Sequence, residues 1–163
     1  MDDIITRIAG IEPGSRLAAV LAKRADILEL SGKTHDAALT PDDPGGLSHA
    51  ERAALACRIA RLNNDSGFER HFEQLMDDAD AEDSVRRIAD GWFDGGADVR
   101  LKALIRHVDL VAHDPKSASK QDIGQLKEAG ISDADIVRLS ELIAFVSYQI
   151  RVVAGLKLMR AST

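Results

Sequence analysis

This sequence predicts an all-α fold, on three observations. Apolar residues recur at helical spacing along most of the chain instead of alternating as half-buried strands require. Several helix starts are written out as capping motifs, with serine followed three residues later by an acidic residue. Aromatic residues make up only 4% of the chain while alanine is abundant, a composition that suits close-packed helices better than a sandwich or barrel. With 163 residues the chain is expected to form a single domain, long enough to bury a core without disulfides or metal.

Taken in order, Ile4, Ile5, Ile8 and Ile11 mark a short amphipathic helix from Asp2, halted by Pro13-Gly14. Ser15 opens a longer helix with Leu17, Val20, Leu21, Ala25 and Leu28 inward; Ser31-Gly32 is expected to interrupt it before one more turn over residues 34–39. Residues 40–46, TPDDPGG, are the strongest breaker, so residues 1–46 read as helices packed on a core of residues 47–160. Ser48-His49-Ala50-Glu51 is a capping box, and Ala53, Ala54, Cys57 and Ala60 give the helix that follows a face of small residues. Residues 63–67 break it, because Asn, Asp and Ser side chains compete for backbone hydrogen bonds; Ser66 to Glu69 is a second box leading to Phe72, Leu75 and Met76.

The acidic run over residues 77–83 lacks the glycine and terminal glutamate of a calcium loop, and reads as the solvated start of a helix carrying Val85 and Ile88. Residues 91–96, GWFDGG, end that helix, and Trp92 with Phe93 is expected to anchor the core, the other role being a pocket or intersubunit contact. A helix over residues 97–112 carries His107 and leads to His113; the two lack the spacing that places imidazoles on one metal and read as surface or hydrogen-bonded histidines. Residues 119–129 form a short helix closed by Gly130. Ser132 and Asp135 cap the last helix, with Ile131 stapled to Ile136. It is apolar almost all round to Met159 and must be buried, centrally or between subunits; Arg138, Glu141, Gln149, Arg151 and Lys157 argue against a membrane span.

The formal charge of -6 is spread along the chain without a basic block, which argues against nucleic acid as a partner. The N-terminus lacks a basic region followed by an apolar one, and a single cysteine cannot form an intramolecular disulfide, so a cytoplasmic protein is expected.

The stretch from Leu47 to His71, LSHAERAALACRIARLNNDSGFERH, resembles the carboxymuconolactone decarboxylase and alkylhydroperoxidase D family, in its peroxidase-related branch. There a helix beginning L-S-x-x-E-R leads into N-G-C-x-x-C and then a histidine. The last helix, from Ser132 through Ile143-Ala144-Phe145 to Arg151-Val152-Val153-Ala154-Gly155-Leu156, looks like that branch's C-terminal helix, with Ser147 and Ile150 at its asparagine positions. The resemblance spans roughly residues 47–159 and implies an all-α, oligomeric, alkylhydroperoxidase D-like helical bundle. It also implies a mechanism: a thiolate attacks a hydroperoxide, a second cysteine resolves the sulfenic acid, and glutamate and histidine relay the proton.

Laying Asn63-Asn64 on the family's N-G puts Asp65 and Phe68 at the two cysteines and Ala53 at the relay glutamate; Glu51, two residues away, is the capping residue. Of the relay only His71 remains near register. The expected function is therefore that of a degenerate member without thiol peroxidase activity, acting as a binding module or as the partner of an active paralogue. A first alternative is a peroxidase using Cys57 or a partner's cysteines. A second is a non-redox lyase in which His71 acts while Arg151 holds a small carboxylate. The fold implied by the resemblance would gather Asp65, Phe68, His71, Trp92 and Tyr148 into a pocket, at a boundary between copies of a homo-oligomer. No cofactor and no metal are implied, and the ligand is an unnamed small molecule.

Overall fold

The computed structural model describes residues 3–162, and among these every regular element is helical: α1 (Ile4–Ala9), α2 (Arg16–Leu21), α3 (Ala25–Leu39), α4 (His49–Leu62), α5 (Ser66–Asp78), α6 (Asp83–Arg86), α7 (Val99–His113), α8 (Lys120–Glu128) and α9 (Asp133–Ala161). Asp2, read from sequence as the first helix's start, lies outside the described residues; α1 is capped by Asp3, whose carboxylate accepts from the Thr6 amide.

The helix starts follow the local chemistry. Ser48 and Glu51 exchange both bonds of the capping box, the Asp122 carboxylate accepts from the Ser119 amide and hydroxyl at α8, and the Ser132 hydroxyl accepts from the Asp135 amide at α9. Gly130 takes the left-handed conformation, φ +81°, that stops α8. At α5 the cap differs from the sequence reading. Asp65, not Ser66, is the N-cap, and its carboxylate accepts from the amides of Gly67 and Phe68, each at 3.0 Å.

The N-terminal break also moves. α3 runs unbroken through Ser31-Gly32, and the interruption falls at a 3-10 turn over Ala22–Arg24. Burial of Leu28, Ser31, His35, Ala38 and Leu39 along one face outweighs the roughly 1 kcal/mol that a mid-helix glycine costs.

α4 lies at the centre, packed by α3, α5, α7 and α9. Its small side chains Ala53, Ala54, Ala56, Cys57 and Ala60 are buried and let those neighbours approach closely. It also buries two guanidiniums. Arg52 donates to the carbonyls of Ala38, Pro44 and Leu47, which ties the 40–46 loop to the bundle. Arg58 forms a bidentate pair with Asp109 of α7, at 2.6 and 2.7 Å, and donates to carbonyls of Ile88, Asp90, Gly91 and Phe93.

α9 is long and apolar enough by length and composition to cross a membrane. In the bundle its inner face, including Leu139, Leu142, Ile143, Val146, Ile150 and Val153, packs on α1, α3, α4, α7 and α8. Two single-residue expectations are corrected. Trp92 is 96% exposed and is no core anchor, because the chain turns at residues 90–92 before reaching the core and only Phe93 packs back, under Arg87. His107 is buried, with Nδ1 unpartnered, because the face of α7 that packs on α8 carries it inward.

Candidate functional site

α5 begins with its free amide groups facing Asp65, the residue that the resemblance lays on a first cysteine. A helix N-terminus favours an anion, and this is where a reactive thiolate would be held. Here the anion is a carboxylate used structurally: besides capping α5, Asp65 pairs with Lys157 of α9 at 3.0 Å. Phe68, which the resemblance lays on the second cysteine, is fully buried and stacks on Phe72 with ring centroids 5.6 Å apart.

Cys57 sits mid-helix in α4, away from any helix terminus and fully buried. Burial pushes its thiol up to about 11, and its Sγ lies 3.9 Å from the Glu69 carbonyl. Thiolate is therefore scarce at neutral pH.

One turn further along α5, His71 reaches a partner that the sequence leaves isolated. Its Nε2 lies 2.9 Å from Nε2 of His35 on α3, and Nδ1 of His35 lies 3.0 Å from Oε1 of Gln149 on α9. Three helices thus contribute one polar side chain each to a continuous chain. With the Gln149 oxygen accepting from His35 Nδ1, His35 Nε2 must accept from His71 Nε2, which leaves His71 Nδ1 as the basic nitrogen. Turning the Gln149 amide end for end reverses both tautomers. The Gln149 Nε2 is buried and has no hydrogen-bond partner among the described residues.

Both imidazoles are held neutral. His71 is lowered to about 4, first by burial, then by the adjacent His35 and by the Arg7 guanidinium. Burial lowers His35 as well, opposed by its bond to Gln149. The pair faces a cleft of about 310 Å³ whose walls are Asp3, Ile4 and Arg7 of the first helical turn and its cap, Gly32, His35, Asp36, Leu39 and Thr40 along α3, and His71 and Leu75 of α5. A cleft with a neutral base, a nearby cation and apolar walls can hold a small anion and accept a proton from it. Among the described residues, no group of three His, Cys, Asp or Glu is arranged to hold a metal ion.

The seven residues singled out from sequence are not gathered into one pocket. Phe68, His71 and Tyr148 belong to one aromatic run, Phe68 through Phe72 to the imidazoles and Tyr148 through Phe145, whose ring stands edge-on to His35 at 6.4 Å. Asp65 lies at the α5 cap. Cys57 is inside α4, Trp92 borders a separate hollow with Arg58 and Asp109, and Arg151 is exposed on the outer face of α9. Sequence reasoning missed His35, Arg7 and Gln149. A signal existed for two of them: His35 lies on the stripe of Leu28, Ser31 and Ala38, and Gln149 is a polar residue between Val146, Ile150 and Val153.

The fold has solved counterparts. A peroxidase-related protein of uncharacterized function from Ralstonia eutropha JMP134, described as an alkylhydroperoxidase AhpD core, superposes with a TM-score of 0.70 at 20% identity, over 95% of this chain and 83% of its own. A peroxidase-related protein from Silicibacter sp. TM1040, also uncharacterized, gives 0.66 at 17% identity over 85% of this chain and 72% of its own. At such identities the likeness is one of fold, and it agrees with the architecture that the 47–71 and 132–156 stretches imply. No family model and no curated protein matches the chain.

Proposed function

We propose that this chain uses the alkylhydroperoxidase fold as a small-molecule-binding protein without thiol peroxidase chemistry, and that its site is the cleft of His35 and His71. The observation that carries the reading is the linked pair of neutral imidazoles opening on a cleft beside Arg7. It is supported by what stands in place of the redox centre: Asp65 committed to a cap and an ion pair, Phe68 in the core, and a lone thiol pushed up to about 11.

The ligand class that fits is a small carboxylate or other anion. The Arg7 guanidinium makes no hydrogen bond or ion pair among the described residues and acts on both imidazoles electrostatically, so it can hold a negative group while His71 accepts a proton. This arrangement also favours, as a second reading, a non-redox lyase reaction with Arg7 in the role first sought for Arg151.

The test has two arms. Reduction of an organic hydroperoxide with a dithiol reductant, run beside Cys57→Ser and a C-x-x-C relative as positive control, is expected to show no turnover above buffer. Turnover that vanishes in Cys57→Ser would make this a one-cysteine peroxidase. Titration of the imidazole NMR signals with benzoate and acetate is expected to move the His71 resonance in the wild type and not in Arg7→Ala. Unmoved signals in the wild type would sink the anion site.

A further inference from the structure

Along its outer face α9 carries eight exposed residues at alternating three- and four-residue spacing: Ala134, Val137, Glu141, Ala144, Tyr148, Arg151, Gly155 and Leu158. Such spacing keeps the stripe on one side of the helix, as at the contact line of a two-helix coiled coil, in a helix whose other side is already packed. Val137 and Leu158 are 56% and 72% exposed. In the middle of this stripe stand Glu141 and Arg151, whose side chains form no hydrogen bond or ion pair among the described residues.

The order of residues is self-complementary. About a twofold axis level with Val146, an antiparallel copy of α9 sets Glu141 against Arg151, Ala144 against Tyr148, Val137 against Gly155 and Ala134 against Leu158. Each pairing joins opposite charges or a large side chain to a small one. An isologous contact makes each of them twice. The stripe from Ala134 to Leu158 is about 36 Å long at 1.5 Å per residue.

α3 widens it. Antiparallel to α9, it offers a second exposed stripe of Ile27, Leu30, Thr34 and Ala37, joined to α9 where the Ser31 hydroxyl meets the Tyr148 hydroxyl at 3.2 Å. Between the two helices runs a groove of about 440 Å³ floored by Ala38 and Phe145 and edged by Thr34, Ala37, Glu141 and Ala144. The twofold that pairs the charges also brings Tyr148 of the second copy to Ala144, at this groove. Two helices side by side at about 10 Å spacing give roughly 700 Å² a side, close to the ~800 Å² of a stable interface.

We propose that the outer faces of α9 and α3 bind a second copy of this chain through antiparallel α9–α9 pairing about Val146, with two Glu141–Arg151 ion pairs across the interface. This is independent of what the His35–His71 cleft binds. A lipid surface is the less fitting occupant, because the two charges would enter it unpaired.

Sedimentation equilibrium of the full chain tests the pairing. The wild type is expected to be a dimer or an even-numbered assembly at micromolar concentration. Glu141→Arg and Arg151→Glu, each setting like charges together twice, are expected to weaken dimerisation at least tenfold. The double variant Glu141→Arg/Arg151→Glu is expected to restore it, a recovery that a damaged fold would not show. Circular dichroism checks that each variant is helical. A monomeric wild type, whether free or sedimenting with phosphatidylglycerol vesicles, overturns the proposal. So do single variants that associate as the wild type does, or a double variant that fails to recover.

Discussion

Cys57 and His71 are both shifted by burial, and in both the neutral form is favoured. For the thiol this means inertness: with its pKa near 11, Cys57 in the native protein is expected to resist a thiol reagent at pH 8 and to react at once after denaturation. Rapid native labelling would reopen the one-cysteine peroxidase. For the imidazole it means a pH-dependent contribution to stability. Between the ordinary value of 6.5 and the native value of about 4, the unfolded chain binds a proton at His71 that the native chain does not. Stability is therefore full above pH 6.5 and falls as the pH drops toward 4, and His35 adds to it with the same sign. Urea unfolding at pH 7.5 and 4.5 is expected to differ by about 2 kcal/mol on this account, and His71→Asn should flatten the dependence. The lowered carboxylates Asp122 and Asp135 lose their contribution only below their ordinary value of 3.8, outside this window.

Helix α4 depends on side chains that reach beyond it. Arg58 is almost fully buried, and its removal leaves four backbone carbonyls without their donor while Asp109, 36% exposed, turns to water, so Arg58→Ala is expected to cost about 2–4 kcal/mol in guanidinium unfolding. Arg61, one turn on, also makes two carboxylate pairs, but its side chain is 35% exposed and each pair is worth about 1 kcal/mol or less. In α3 the balance runs the other way. A Cβ added at Gly32 meets nothing within 4 Å, and the backbone there is helical, so Gly32→Ala is expected to raise stability by about 0.5–1 kcal/mol in the same assay. A loss instead would mean that α3 is bent or frayed at that point.

At the scale of the whole molecule, α1 closes the bundle against α9 and walls the cleft with Ile4 and Arg7, while Ile5 and Ala9 enter the core. Deleting residues 1–11 is expected to cost about 3 kcal/mol from lost apolar burial, and with it the cleft. A truncated chain that melts like the full one would show the N-terminal helices to be an addition and not part of the domain.

What was legible in the sequence was local. The capping box at Ser48, the serine cap at Ser132, the stop at Gly130 and the apolar period of α9 are each decided within a few residues, so these helix ends and the fold class could be read directly. Asp65 and Phe68, which the resemblance lays on the two cysteine positions, stand at the N-cap and in the first turn of α5. Where local preference competed with packing, packing won: Gly32 did not break α3, and Asp65 displaced Ser66 as cap because its longer reach also meets Lys157. The site needed the folded chain. His35 and His71 are 36 residues apart, and Gln149 lies 114 beyond His35. By itself the sequence determined the all-helical class and most of the helix starts. Only the tertiary structure decided which polar side chains would share the interior, because buried polar groups must find one another across helices and no spacing along the chain records which of them do.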